Sequence, residues 1–233
     1  MRSSKWRALG NTYLVVERSG DRPLDAERAR TLSRDTDGVL EVVSEGDDEV
    51  RIVIWNPDGS QAELSGNGTR IAAAWVAERS GARTVKVHVG DRVVTAHILH
   101  GGEIEQELGV VEVGPADMVD GVAFIPVSVG NPHAVVVGDP DEIERLGPLL
   151  ERHVRFPNRT NVQVVRVDAP GEVTARVWER GVGETLSSGT SAVAVAAATH
   201  DRGDVLVHFP GGDLRVRLEG GRATLTGPAE RLE

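Results

Sequence analysis

Val50-Arg51-Ile52-Val53-Ile54-Trp55-Asn56-Pro57-Asp58-Gly59, with Ser65-Gly66-Asn67-Gly68-Thr69 just beyond it, is the stretch on which the fold turns. Its first six residues alternate and are rich in β-branched side chains, which predicts a strand. Asn56-Pro57-Asp58-Gly59 is a turn with a mechanism: proline fixes φ and glycine accepts positive φ. The small-residue loop then opens Arg70-Ile71-Ala72-Ala73-Ala74-Trp75-Val76-Ala77-Glu78, an alanine-rich helix with a stop near Arg79-Ser80-Gly81. The same strand–turn–helix order returns about 120 residues later. Residues 173–178 repeat the strand, Arg180-Gly181-Val182-Gly183 the turn, Ser188-Gly189-Thr190-Ser191 the loop, and residues 192–199 the helix, stopped around Gly203.

The flanks repeat as well. Leu9-Gly10-Asn11 matches Val129-Gly130-Asn131, and each is followed by an apolar run, Tyr13-Leu14-Val15-Val16 and Ala134-Val135-Val136-Val137. Val85-Lys86-Val87-His88 matches Val205-Leu206-Val207-His208. Chance explains one valine-rich block but not several in the same order, so the chain reads as an internal duplication. Short strands over 93–99, 123–129, 162–167 and 214–218 complete the pattern. The expected fold is α+β, with two pseudo-symmetric domains, each a curled, mainly antiparallel sheet around a central helix. The helix of the second copy is apolar almost all round, as a helix wrapped by sheet must be.

Composition limits what such a fold can do. With 39% apolar and 27% charged residues the chain is an ordinary globular protein. No apolar run approaches the roughly 20 residues that cross a bilayer. Met1-Arg2-Ser3-Ser4-Lys5-Trp6 is not followed by an apolar signal segment, so a cytoplasmic location is expected. The net charge of -10 disfavours nucleic acid and anionic membrane surfaces as partners. Cysteine is absent, which excludes disulfides, thiolate chemistry and a Cys-ligated zinc. Gly66-Asn67-Gly68 does not continue as a dinucleotide fingerprint, and no phosphate loop or metal motif occurs, so no metal is expected. His88 and His208, in matched strands, read as structural.

What remains is a pair of loops that open buried helices. A helix N-terminus presents N–H groups and a partial positive charge, and glycine lets a ligand approach the backbone. Either loop alone is explained by Ser or Thr capping. Two, related by duplication, predict paired anion-binding termini facing each other across a small-molecule site.

Gly10-Asn11, Asn56-Pro57-Asp58-Gly59-Ser60, Ser65-Gly66-Asn67-Gly68-Thr69-Arg70, Gly130-Asn131-Pro132-His133, Leu146-Gly147-Pro148-Leu149-Leu150, Thr160-Asn161-Val162 and Glu179-Arg180-Gly181-Val182-Gly183-Glu184-Thr185 run along the chain in order. So do Pro210-Gly211-Gly212-Asp213 and Thr226-Gly227-Pro228-Ala229. Together they resemble the diaminopimelate epimerase family, across nearly the whole sequence. The resemblance implies an epimerase that needs no pyridoxal phosphate or other cofactor and inverts the α-carbon of LL-diaminopimelate to the meso form, on the route to lysine and peptidoglycan. It implies domains over 1–117 and 118–221, with 222–233 returning to the first. It implies an amino-acid substrate bound by Asn11, Asn56, Asn131 and Asn161, with Glu179 and Arg180, and its α-carboxylate held by Gly66-Asn67 and Gly189-Thr190. Members of the family often dimerise, so a homodimer is among the states it allows.

The family's two catalytic bases are cysteines, and the matching positions here are Ser65 and Ser188. A thiol of pKa ~8.5 ionises at pH 7 for about 2 kcal/mol, whereas a water-like hydroxyl needs about 12 kcal/mol. That difference is worth on the order of seven powers of ten in rate if nothing offsets it. Three readings follow. Ser65 and Ser188 relay protons with His133 and Glu179 as activating groups. Or His133 or Glu179 acts as the single base of an isomerase or dehydratase on another carboxylic acid. Or the chain is a catalytically silent amino-acid-binding homologue.

Overall fold

The structure, a computed structural model, describes residues 2–18, 20 and 22–232. The chain divides into two compact units, Met1–Glu107 with Thr226–Glu233, and Leu108–Leu225. The sequence places the first boundary at 117/118 and the return to the first unit at 222, where the structure has 107/108 and 226. The strand Asp117–Val119 pairs with Val122–Ser128, in the body of the second unit.

In chain order the first part comprises β1 (Ser3–Ala8), β2 (Asn11–Glu17), α1 (Ala26–Leu32), β3 (Val39–Glu45), β4 (Glu49–Trp55), β5 (Gln61–Ala62), α2 (Gly66–Ser80), β6 (Thr84–Val89), β7 (Arg92–Ile98) and β8 (Glu103–Val110). The remainder comprises β9 (Glu112–Val113), β10 (Asp117–Val119), β11 (Val122–Ser128), β12 (Pro132–Val137), α3 (Ile143–Glu151), β13 (Asn161–Ala169), β14 (Glu172–Glu179), β15 (Gly183–Thr185), α4 (Gly189–Thr199), β16 (Gly203–Phe209), β17 (Gly212–Glu219), β18 (Arg222–Pro228) and β19 (Glu230–Arg231).

The duplication is visible in the pairing itself. β1 and β2 form an antiparallel hairpin whose turn residues, Leu9 and Gly10, have φ of 49° and 83°. Positive φ at both turn positions matches the twist of a two-residue hairpin. From there β2–β3 is parallel, β3–β4 antiparallel with a register shift between Val42 and Ser44, β4–β6 parallel and β6–β7 antiparallel. The second unit repeats the series: β12–β13 parallel, β13–β14 antiparallel with a shift between Val167 and Ala169, β14–β16 parallel, β16–β17 antiparallel. The sheet of each unit is thus mixed, and each parallel step is spanned by a helix, as a parallel connection requires.

α2 packs against β1, β2, β3, β4, β6 and β7, and α4 against β11, β12, β13, β14, β16 and β17. Each is therefore a helix wrapped by strands. α2 begins at its Ser65 cap and ends at Gly81, whose left-handed backbone (φ 78°) donates to the Ala77 carbonyl at 2.8 Å. α4 starts at Gly189, three residues before the expected position, because the loop residues already have helical geometry.

Two further helices were not expected. α1 packs with Val16, Leu24, Val39 and Trp55, and α3 with Phe124, Val136, Val162 and Val164. Strand alternation puts these on the opposite sheet face from the central helix: Trp55 packs toward α1, whereas Gln163, between Val162 and Val164, reaches Ser191 of α4. The repeated tryptophans have matched partners from unmatched elements. Trp55 donates to buried Glu41 of β3 at 3.1 Å, and Trp178 to buried Glu151 of α3 at 2.9 Å. His208 binds Asp213 and Glu172, in that order of effect, and both raise its pKa.

Gly147 lies flat against Trp178, where an added Cβ would stand 2.6 Å from its Cγ. Gly147→Ala is expected to lower stability by about 1–3 kcal/mol through overpacking, despite alanine's higher helix propensity. Chemical denaturation measures this, and an unchanged or raised stability would contradict the packing.

Candidate active site

In the first unit the polar residues gather at the start of α2. Ser65 is its N-cap, and the hydroxyl accepts from the Gly68 N–H at 3.0 Å. That hydroxyl also lies 3.2 Å from the Tyr13 phenol oxygen. Asn11 and Tyr13, two apart on β2, share one buried face. Asn67 is buried and accepts from Arg70 Nη2 at 2.6 Å. Arg70 is fully buried, with Gly66 O and Pro228 O as its other acceptors, and no carboxylate pairs with it among the described residues. Burial pushes the guanidinium down to about 9, with the negative charge of an ionised Tyr13 acting in the opposite sense, so it remains a cation at neutral pH. Gln106 of β8, in the amide orientation that satisfies both groups, donates to Gly66 O at 2.9 Å and accepts from Arg70 N at 3.0 Å. Asn56 stands apart in this hydrogen-bond set. Its amide closes the β4–β5 turn on Ser60 Oγ at 3.0 Å.

In the second unit the cluster forms at the start of α4. Ser188 precedes Gly189 and Thr190, is nearly buried, and makes no side-chain cap. Asn131 donates to Thr190 Oγ1 at 3.3 Å and accepts from His133 Nε2 at 2.9 Å. The other ring nitrogen of His133 accepts from Gln163 Nε2, also at 2.9 Å, and the same amide reaches Ser191 Oγ. Asn161 spans the strand ends, donating to Pro132 O at 2.9 Å and accepting from the Arg180 N–H at 3.0 Å. Glu179 accepts from Thr185 Oγ1 at 2.6 Å. Glu151 holds the adjoining turn through the Gly181 N–H at 2.8 Å.

Asn131, His133, Asn161, Glu179, Arg180, Gly189 and Thr190 are therefore neighbours in the second unit, and Asn11, Gly66, Asn67 and Ser65 in the first. Neither Ser65 nor Ser188 is hydrogen-bonded to His133, one of the two groups expected to activate them. Both ring nitrogens are engaged by Asn131 and Gln163, which fixes a neutral ring with its proton on Nε2. Burial is the main cause that drives His133 down to about 3; the Gln163 hydrogen bond opposes it and the positive charge of Arg180 adds to it. Glu179 is likewise turned to Thr185. Tyr13, Arg70, Gln106 and Gln163 were not singled out in the sequence. The available signal for Tyr13 was its period-two spacing from Asn11.

The diaminopimelate epimerase family matches residues 4–119 and 125–232. The chain belongs to this family. A diaminopimelate epimerase of Xanthomonas campestris pv. campestris is 37% identical over 98% of this chain and 93% of its own length. That of Methanothermobacter thermautotrophicus is 33% identical over 91% and 88%. A hydroxyproline epimerase of Agrobacterium vitis, solved with trans-4-hydroxy-L-proline, shares the fold, with a TM-score of 0.74, 15% identity and coverage of 99% of this chain and 90% of that one. The epimerase family thus accounts for both repeats and for the mixed-sheet architecture.

The state of His133 has a consequence for stability. The unfolded chain protonates this histidine near pH 6.5, while the folded chain resists down to about 3. The unfolded state then binds more protons between those values, so stability falls as pH drops from 6.5 towards 3. The His133 ring resonance should stay at its neutral position through pH 5 in an NMR titration. A midpoint near 6.5 would refute the assigned tautomer network.

Proposed function

We propose that the protein is a cofactor-independent epimerase that interconverts LL- and meso-diaminopimelate. The observation that carries this reading is the family match across both repeats, joined to two intact helix-start clusters. In this reading the α-carboxylate is held by N–H groups at Gly66-Asn67 and Gly189-Thr190, where the helix dipoles favour an anion. Buried Arg70 adds a positive charge beside the first of these. Negative charge that develops on the carboxylate as the α-proton leaves is stabilised by such fixed dipoles. Asn11, Asn56, Asn131 and Asn161, with Glu179 and Arg180, recognise the rest of the amino acid. Ser65 and Ser188, one from each repeat, exchange the α-proton. No helix among the described residues is long and apolar enough to cross a membrane. We assign the enzyme to the cytoplasm, with a free amino acid as substrate and without nucleic acid or membrane partners; a homodimer is among the assemblies this reading allows.

The asymmetry of the two serines favours a second reading. Ser65 shares a hydrogen bond with a phenol, whereas Ser188 makes no hydrogen bond through its side chain among the described residues and His133 is committed elsewhere. A one-base isomerisation or dehydration of another carboxylic acid, for which the sequence offers His133 or Glu179 as the base, would here run on Ser65 of the first unit instead, since His133 and Glu179 are engaged by neighbours.

The decisive measurement is incubation with LL-diaminopimelate in deuterium oxide, following the α-proton by NMR together with the LL-to-meso ratio. Exchange with meso formation is expected. Exchange without inversion would favour the one-base reading, and no exchange with confirmed binding would leave a silent binding protein. Ser65→Cys with Ser188→Cys should raise the rate by several powers of ten, since a thiol of pKa ~8.5 ionises far more readily than a hydroxyl. No increase would remove the two serines from the proton path.

A further inference from the structure

Tyr13 is the chain's single tyrosine, and its phenol oxygen faces Ser65 Oγ at 3.2 Å. The ring is tightly held. Trp6 is its partner across the β1–β2 pair, and a Cβ at Gly38 would meet its Cε1 at 2.7 Å. Because Ser65 Oγ already accepts from the Gly68 N–H, the serine proton is available to be donated to Tyr13. Arg70 comes from the same end of α2, and the charge on Tyr13 is felt at its guanidinium. A neighbouring cation favours the ionised form of a phenol. Close to this strand end, the Asp37 carboxylate is taken up by the N–H and hydroxyl of Thr12.

We propose that Tyr13 is the proton acceptor behind Ser65, a positioning residue that acts through the serine hydroxyl. The inference rests on the epimerase reading above. With Tyr13 as phenolate, the substrate Cα–H bond breaks and its proton forms a new O–H bond on Ser65. The former serine proton forms the O–H bond on Tyr13, and the electron pair stays on the α-carbon, delocalised into the carboxylate. The reverse of the same two transfers returns a proton to carbon. The chemical advantage is one of ionisation. At pH 7 about one phenol in 10³ is ionised, against roughly one water-like hydroxyl in 10⁹. A phenol behind Ser65 therefore offsets much of the deficit at that serine and leaves the deficit at Ser188 untouched.

Tyr13→Phe keeps the ring that packs on Gly38 and Trp6 and removes only the oxygen. It should lower α-proton exchange by about 10²–10⁴-fold, the usual contribution of a general base, in kcat rather than KM. Ser65→Cys placed in the Tyr13→Phe protein should restore exchange, because a thiol ionises without help. A Tyr13→Phe protein within threefold of the parent, or one that Ser65→Cys fails to rescue while it accelerates the parent, overturns the proposal and leaves the epimerase reading standing. Should the parent itself not exchange, the epimerase reading falls and the proposal falls with it, and the ultraviolet titration of tyrosinate then reads only whether the two hydroxyls are coupled. With one tyrosine the signal belongs to Tyr13. Ser65→Ala should move its midpoint up by about one unit, as the loss of a hydrogen bond to a charged group implies. An unmoved midpoint would show that the two hydroxyls are not coupled.

Discussion

Each half of the chain depends on a helix thin enough to be encircled by strands. α2 and α4 each bury small side chains, Ala72 and Ala73 in one, Ala192, Ala194 and Ala196 in the other. A helix buried on every side has no polar face left to offer a ligand. Its N-terminal turn is then the natural place for chemistry, and the polar residues of both halves collect there. The burial that stabilises the core thereby also selects the position of the site.

Symmetry of backbone does not extend to symmetry of chemistry. The two sheets share their pairing order and even the place of their register shifts. Yet Trp55 finds its carboxylate on a strand, and Trp178 finds one on a helix. The second arrangement lets Glu151 also grip the turn after Glu179 through Gly181. At the helix starts the contrast is larger. The first half has two hydroxyls in contact and a buried cation at the same helix end, and the second has a neutral imidazole locked between two amides. Duplication supplied one scaffold twice, and the side chains then diverged in what they do with protons.

Much of this was readable from residues. The β-branched alternation over β4 and β14, the Pro-Gly turn and the Ser-Gly helix starts each carry a local physical reason, and the structure follows them. α1 escaped notice because seven residues of mixed charge show no apolar period, and α3 because Gly147-Pro148 interrupts the pattern that would announce it. The site was legible as far as backbone motifs reach. Tyr13 was absorbed into an apolar strand run, and nothing local reveals that its oxygen meets a residue 52 positions away. Gln163 hides in a valine-rich strand, so the fixation of His133 could not be foreseen. His133 is engaged by Asn131 and Gln163 and not by a serine of either helix cap for this reason: hydrogen-bond competition is a tertiary property.

A hydroxyl at the helix cap has a chemical consequence beyond acidity. Thiolates at such positions are open to peroxide, to mixed disulfides and to soft metal ions, and their higher oxidation states are irreversible. Ser65 Oγ, seated on the Gly68 N–H and facing a phenol, has no comparable oxidation ladder. A hydroxyl in this place gives up the ready ionisation of a thiol and gains indifference to the redox state of its surroundings.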